Sequence, residues 1–198
     1  MLRRQLRPAI VLTLLLCLIT GVLYPGVVTG LAQFLFPRQA NGSLVTVHGK
    51  VVGSELIGQS FTQPWYFHSR PSAAGNGYDA SNSSGTNKGP TDRRLADTLV
   101  AGAVADVVAQ DSAVKGKIPS DMVTSSASGL DPHISPANAE LQVARVAKAR
   151  GVPEAKVRDI LAQHVEGRQF GFFGEPRVNV LLLNIALDSL APRPGAAQ

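Results

Sequence analysis

The residues best placed for chemistry are Asp131 and His133, which stand on either side of Pro132. A carboxylate and an imidazole this close are typical of acid–base catalysis, and the serines of residues 124–128 would be the nearest nucleophiles. However, the chain has no Gly-x-Ser-x-Gly elbow, and nothing in the sequence places a third group beside the pair. The pattern therefore favours a structural turn in which His133 forms a local hydrogen bond, and we predict no catalytic residue.

Metal and phosphate sites have little support in the sequence. The histidines are scattered, none has a helical i, i+4 partner, and no HExxH motif occurs. No GxxxxGK[ST] phosphate loop occurs either, although residues 85–89 are rich in glycine. We therefore predict no metal site and no cofactor bound directly by this chain.

The first 37 residues predict a membrane anchor. Arg3, Arg4 and Arg7 precede a stretch from Pro8 to Pro37 without a charged side chain, which exceeds the roughly 20 apolar residues that span a bilayer. The positive-inside rule places the N-terminus in the cytoplasm and the rest of the chain on the far side. We predict a cytoplasmic N-terminus at residues 1–7, a transmembrane anchor at 8–36, an exported globular domain at 37–190 and a flexible tail at 191–198.

A cleaved signal peptide is the competing interpretation, because the apolar core Ala9–Leu23 has a suitable length. The uncharged stretch continues to Phe36 without a clear Ala-x-Ala cleavage site, which favours an uncleaved anchor. Gly26 and Gly30 form a small-xxx-small pattern, which lets another helix approach closely. Pro25 removes a backbone donor and is predicted to kink or interrupt the helix locally.

Composition limits the partners of the exported part. Three of the 19 basic residues precede the apolar stretch and all 14 acidic residues follow it, so the exported part carries only about +2. No basic block is interleaved with aromatic residues, and we predict no nucleic-acid partner. Cys17, the only cysteine, lies in the apolar stretch, so the exported part has no disulfide.

The exported part predicts an α+β or α/β domain with short strands and at least three helices. Glycine and proline signals with apolar periodicity predict a hairpin over residues 44–52, strands at 57–61, 65–67 and 122–124, and helices at 91–110, 136–150 and 153–167. Residues 178–190 favour a helix, with a strand followed by a helix as the alternative. Gly, Ser, Asn and Pro make up 14 of the 24 residues in 68–91, which predicts a binding loop or disorder.

Two aromatic clusters stand out in the domain. The first, Trp65-Tyr66-Phe67, favours a place in the core. The second contains Phe170, Phe172 and Phe173 among glycines, and is compatible with either a core or a docking surface.

Several segments, in order along the chain, resemble one family closely: the C subunit of the Kdp potassium-transporting ATPase. The most specific are SGLDPHISP (128–136) and RVNVL (177–181), combined with the single anchor. The others include Tyr24-Pro25, Ala40–Leu44, Leu56–Gln59, Arg70–Ala73, Ser84–Pro90, Gln142, Arg145–Ala147, Arg150-Gly151, Asn184 and Leu187-Asp188.

The resemblance implies a non-catalytic accessory subunit of an ATP-driven, high-affinity potassium uptake complex in a bacterial inner membrane. Its partners would be the potassium-pore subunit and the P-type ATPase subunit, which handle K⁺ and ATP, together with membrane lipid. The implied roles are to stabilise assembly, to cap the outer ion entrance, or to raise the ATP affinity of the ATPase subunit. The candidate partner-contact residues are Gly26, Gly30, Arg70, Asn87, Lys88, Asp131, His133 and Ser135.

Two alternatives from other functional classes remain open at the level of sequence. One is a free-standing, membrane-anchored hydrolase that uses His133 and Asp131. The other is an exported binding module whose loop at residues 68–91 holds a small ligand.

Overall fold

The computed structural model describes residues 2–110, 114 and 118–190. The chain divides into two compact units, Met1–Val52 and Gly53–Gln198. The predicted flexible tail at residues 191–198 lies outside the described residues.

The first unit consists of one long apolar helix and a hairpin. The helix contains α1 (Leu2–Leu18), a π-helical turn (Ile19–Leu23) and α2 (Tyr24–Leu35). Its stretch Arg3–Leu35 has 33 residues, is long and apolar enough to cross a membrane, and is not buried by the rest of the chain. At 1.5 Å per residue it measures about 50 Å, which exceeds the hydrocarbon thickness of a bilayer.

The predicted interruption at Pro25 takes the form of the π turn that precedes it. Proline has no N–H for the carbonyl of residue 21, and its ring crowds the preceding turn. The N–H of Tyr24 donates to the carbonyl of Ile19, five residues back. The wider turn therefore absorbs the proline without ending the helix.

The predicted hairpin is confirmed. After the short helix α3 (Pro37–Ala40), strands β1 (Leu44–Val47) and β2 (Lys50–Ser54) pair with each other. His48 and Gly49 both have positive φ, 51° and 76°, as a two-residue type I′ turn requires.

The second unit is the predicted mixture of helices and short strands, which confirms the fold class. Its elements are a π-helical segment (Leu95–Val100), α4 (Ala101–Gln110), α5 (Ser120–Val123), β3 (His133–Ile134), α6 (Pro136–Arg150), α7 (Glu154–Gln163), β4 (Val165–Glu166), β5 (Arg177–Asn179) and α8 (Val180–Leu190). The three strands form an antiparallel sheet in the order β3-β5-β4, in which His133 pairs with Asn179 and Val165 with Val178.

The core of this unit lies between helices α6, α7 and α8 and the sheet. Its fully or nearly fully buried side chains are Phe67, Ile134, Ala139, Val143, Val146, Ala147, Val157, Leu161, Val178, Val180, Leu183 and Leu187. Helix α6 begins and ends as predicted, because Ser135 Oγ accepts from the N–H of Asn138 and Gly151 adopts φ 67°.

Other boundaries differ from the prediction. The helix predicted to reach residue 167 ends at Gln163, because Val165 and Glu166 pair with β5. Residues 178–190 follow the alternative of a strand and then a helix. The strand predicted at 122–124 is wrong, since α5 covers most of it.

The strands predicted at 57–61 and 65–67 are also wrong, and the reason for the second is visible. Side-chain amides replace the neighbouring strand: Asn184 accepts from the N–H of Phe67 at 2.8 Å and donates to its carbonyl at 3.0 Å. Gln142 does the same for His68, at 2.7 and 3.1 Å. Because each amide has a donor and an acceptor, two side chains satisfy four backbone groups.

Two arginines also bind the backbone here. Together with Asn184 and Gln142 they form a set of four side chains that we call the clamp on residues 64–68. Arg145 donates to the carbonyls of Pro64 (2.6 Å) and Tyr66 (3.0 Å). Arg150 donates to the carbonyl of Trp65 at 2.7 Å and forms an ion pair with Asp188 at 2.8 Å. The segment, which begins in a turn where the N–H of Tyr66 donates to the carbonyl of Gln63, is therefore held by side chains of α6 and α8, and its phenylalanine is fixed in the core.

Candidate partner-binding site

The loop at residues 68–91 has a defined structure because it packs backbone against backbone on residues 126–131. A Cβ at Gly129 would lie 2.5 Å from the carbonyl oxygen of Ser84, and Gly129 has φ 68°, so glycine is required there. Ser72 Oγ donates to the carbonyl of Gly129 at 2.6 Å and accepts from the N–H of Tyr78 at 2.8 Å. The predicted binding loop is thus folded onto the segment that contains Asp131.

Tyr78 fixes the start of this loop. Its hydroxyl donates to the carbonyl of Arg70 at 2.5 Å. Burial of the phenol raises the pKa of Tyr78 to about 12, so the hydroxyl remains a donor at neutral pH. The backbone of Arg70 is therefore held where its side chain can reach residue 131.

Arg70, Asp131 and His133 meet in one cluster. Arg70 Nη1 lies 3.0 Å from Asp131 Oδ2. Asp131 Oδ1 accepts from the backbone N–H of His133 at 2.9 Å and lies 3.4 Å from His133 Nδ1. Sequence spacing predicts the second contact, whereas the first joins residues 61 positions apart.

The electrostatics of the cluster keep Asp131 charged. Burial alone would raise the pKa of Asp131, but the hydrogen bonds from His133 and the Arg70 guanidinium outweigh it, so this pKa lies below its usual value. The carboxylate therefore stays ionised at neutral pH and holds both neighbours.

Ser135 belongs to a second, adjoining network. Asp121 accepts from the N–H and the hydroxyl of Ser135, at 2.7 and 3.0 Å, and from Nδ2 of Asn138 at 3.0 Å. Since Ser135 Oγ also caps α6, its hydroxyl serves the helix. Within the described part of the chain, no serine or threonine hydroxyl is hydrogen-bonded to the ring of His133.

The two networks line an open groove of about 510 Å³. Its walls are Arg70, Pro119, Ser120, Asp121, Asp131, His133, Ile134, Ser135, Glu175, Pro176 and Arg177. The groove thus brings together four of the predicted contact residues, namely Arg70, Asp131, His133 and Ser135. Its mixed charges suit a polar segment of another macromolecule more than a single small ion.

The other predicted contact residues lie elsewhere. Asn87 and Lys88 are exposed at the end of the loop, and Lys88 pairs with Asp92 at 3.3 Å. Gly26 and Gly30 lie on the long helix, and a Cβ at either position would meet nothing within 4 Å. None of these four residues lines the groove.

A second cavity, of about 400 Å³, was not predicted. Its walls include His68, Arg145 and Gln142 from the clamp and Asp106 and Gln110 from the helix α4. Burial and then the charge of Arg145 lower the pKa of His68, which keeps its ring neutral at pH 7. Segments that are far apart in sequence form this cavity together, so no local sequence signal indicates it.

Among residues 2–110, 114 and 118–190, no group of three or more His, Cys, Asp or Glu side chains could hold a metal ion.

Comparison with known proteins gives the family. A family model described as K⁺-transporting ATPase, c chain (KdpC), matches residues 6–189. A potassium-transporting ATPase KdpC subunit of Gemmatimonas aurantiaca is 62% identical over 95% of this chain and 94% of its own. Those of Koribacter versatilis (54% identical, 97% and 98% covered) and Nitratidesulfovibrio vulgaris (58%, 93% and 94%) are similarly close. The chain therefore belongs to the KdpC family, the c chains of K⁺-transporting ATPases.

Proposed function

We propose that this chain stabilises the assembly of an ATP-driven potassium uptake complex and caps its outer ion entrance. As a member of the KdpC family it is an accessory subunit of a K⁺-transporting ATPase, not the catalytic one. Its partners in this proposal are the potassium-pore subunit and the P-type ATPase subunit, which handle K⁺ and ATP.

The single observation that carries the proposal is that the polar side chains of the groove are hydrogen-bonded or ion-paired with one another. Asp131 is held by Arg70 and His133, and Ser135 is held by Asp121 and Asn138. Because these groups bind each other, they form a fixed polar surface and not a reactive centre. A rigid surface of mixed charge is suited to recognising another protein.

The proposed topology is a single pass through a bacterial inner membrane with the N-terminus in the cytoplasm. Arg3, Arg4 and Arg7 precede the apolar part of the helix and support this orientation. Only residues 1–7 would then reach the cytoplasmic side. An effect on ATP affinity would accordingly act through the anchor and not through contact of the exported domain with nucleotide.

Co-purification tests the assembly role. The full chain, tagged and extracted from native membranes in mild detergent, is expected to emerge with a large polytopic partner. Recovery of the chain alone would contradict the proposal.

The anchor is proposed to pack through the face of Gly26 and Gly30. Because both positions are open within the chain, Gly26→Leu with Gly30→Leu should leave the isolated helix intact and reduce the yield of complex. Gly21→Leu is the matched control, since Gly21 is equally open. Equal yields from the two variants would exclude this face.

The orientation has its own test in Lys148, which is exposed on α6. A lysine reagent that cannot enter cells but crosses the outer membrane should label Lys148 in intact cells. If Lys148 is labelled only in inverted inner-membrane vesicles, whose outer surface is the cytoplasmic side, the proposed orientation is wrong.

A further inference from the structure

The hairpin of residues 165–177 presents three phenylalanines to solvent. Between β4 and β5, the side chains of Phe170, Phe172 and Phe173 are 86%, 65% and 58% exposed. Each ring therefore forgoes much of the stabilisation that full burial of a phenylalanine contributes. Protein–protein interfaces are enriched in aromatic side chains, phenylalanine among them. The residues are called the aromatic tip below.

The aromatic tip is held rigid by its own backbone. The N–H of Gln169 donates to the carbonyl of Phe173 and the N–H of Phe173 donates back to Gln169, both at 2.9 Å. Phe170 adopts φ 52°, a left-handed conformation that is strained for a non-glycine residue. The rings of Phe172 and Phe173 are 4.2 Å apart at their centroids. The tip is therefore shaped in advance, which lowers the entropic cost of binding.

The charges around the aromatic tip argue against an anionic membrane surface as its target. Arg168 pairs with Glu175 at 2.7 Å, and Arg177 pairs with Glu166 at 2.9 Å. Recognition of anionic headgroups depends on cations that are free to meet them. Here each arginine of the hairpin is already neutralised by a carboxylate of the same hairpin.

A second copy of this chain is also a poor match. Its three exposed rings need an apolar receptor to bury them. The two cavities described above are lined mainly by polar and charged side chains. Neither offers the apolar pocket that three phenylalanines require.

We propose that the aromatic tip inserts into an apolar pocket with a polar rim on another subunit of the same complex. The inference rests on the proposed assembly function and deepens it by naming the contact. The hairpin residues Glu175, Pro176 and Arg177 also line the groove of Arg70, Asp131 and His133. The tip is thus joined to the groove through residues 175–177, which places an apolar anchor near a polar recognition surface.

A photo-crosslinker tests this contact in the assembled complex. Phe170 is replaced by p-benzoylphenylalanine in the full chain, and Asp159, which is exposed on α7, is replaced in the control. Irradiated membranes should give a product with a polytopic subunit from position 170 and not from position 159.

The remaining outcomes overturn the inference. They are an adduct with lipid only, a crosslinked pair of this chain, equal products from both positions, or no product although the partner co-purifies. If the unmodified chain fails to bring down any partner, the proposed function fails, and that result is distinguishable from failure of the tip.

Discussion

The two aromatic clusters of the domain have opposite surroundings. Phe67 is completely buried, whereas Phe170 is 86% exposed. The backbone around Phe67 is bound by side chains of α6 and α8. Among the described residues, the backbone around Phe170 bonds within its own hairpin. Local composition is similar in the two places, so the difference comes from distant partners. Asn184 reaches Phe67 across 117 positions of sequence.

The comparison separates folding from recognition. The first cluster, together with its amide and arginine clamp, stabilises the domain. The second contributes little to folding and is available for a partner.

The largest contrast is expected between Phe67→Ala and Phe170→Ala. The first creates a cavity in the core and should cost about 3–5 kcal/mol of unfolding free energy. The second removes an exposed ring and should change it by less than about 0.5 kcal/mol. Urea unfolding of the full chain in detergent, followed by the fluorescence of the only tryptophan, Trp65, measures both. Similar losses would show that the tip also supports the fold.

The next contrast compares two arginine ion pairs. The Arg150 side chain is fully buried in its pair with Asp188, whereas those of Arg168 and Glu175 are 45% and 78% exposed. Arg150→Ala removes the cation paired with Asp188, whose carboxylate keeps only neutral partners such as the Tyr66 hydroxyl, and it removes the donor to the Trp65 carbonyl, so it should cost about 3 kcal/mol. Arg168→Ala should cost no more than about 0.5 kcal/mol. A shift in urea midpoint for Arg168→Ala as large as that for Arg150→Ala would refute the distinction.

Two glycines give a smaller contrast. Gly129 and Gly174 both have positive φ, but an added Cβ meets the Ser84 backbone at Gly129 and nothing within 4 Å at Gly174. Gly174→Ala should therefore cost about 1 kcal/mol from backbone strain. Gly129→Ala adds the clash and should cost at least about 2 kcal/mol. Thermal unfolding of the two variants side by side decides, and equal melting temperatures would argue against close packing of the loop.

The smallest effect concerns pH. The folded pKa of His68 is below its ordinary value of 6.5, so the unfolded chain binds a proton first as pH falls. The stabilisation from the neutral ring is complete above the unfolded pKa and is lost as pH falls towards the folded one. His68→Gln should consequently weaken the loss of stability between pH 7.5 and 5.5. The hairpin contains no histidine, so Phe170→Ala should leave that loss as it is in the unaltered chain. Identical pH profiles for His68→Gln and the unaltered chain would contradict the account.

Much of the fold follows from local sequence signals. The apolar stretch, the hairpin turn at residues 48–49 and the Ser135 and Gly151 ends of α6 each depend on neighbouring residues alone. The predictions of strands at 57–61 and 65–67 are wrong because these segments have a β-type composition but no neighbouring strand to pair with among the described residues. At 65–67, side-chain amides from distant helices bind the backbone instead, and periodicity carries no information about such partners.

Only the local contacts of the candidate site could be predicted from the sequence. The contact of Asp131 with His133 follows from their spacing, and the capping role of Ser135 follows from Pro136. Arg70 came only from the resemblance, because nothing local links it to Asp131. The groove itself and its junction with residues 175–177 appear only when the sheet brings the hairpin beside β3.

The most direct test of this separation is the variant Phe170→Ser, Phe172→Ser, Phe173→Ser in the full chain. We predict an unfolding midpoint equal to that of the unaltered chain, together with at least about a tenfold loss in co-purified partner, since hot-spot aromatics contribute about 2 kcal/mol or more each. An unchanged yield of partner, or a fall in stability as large as that of Phe67→Ala, would contradict the account.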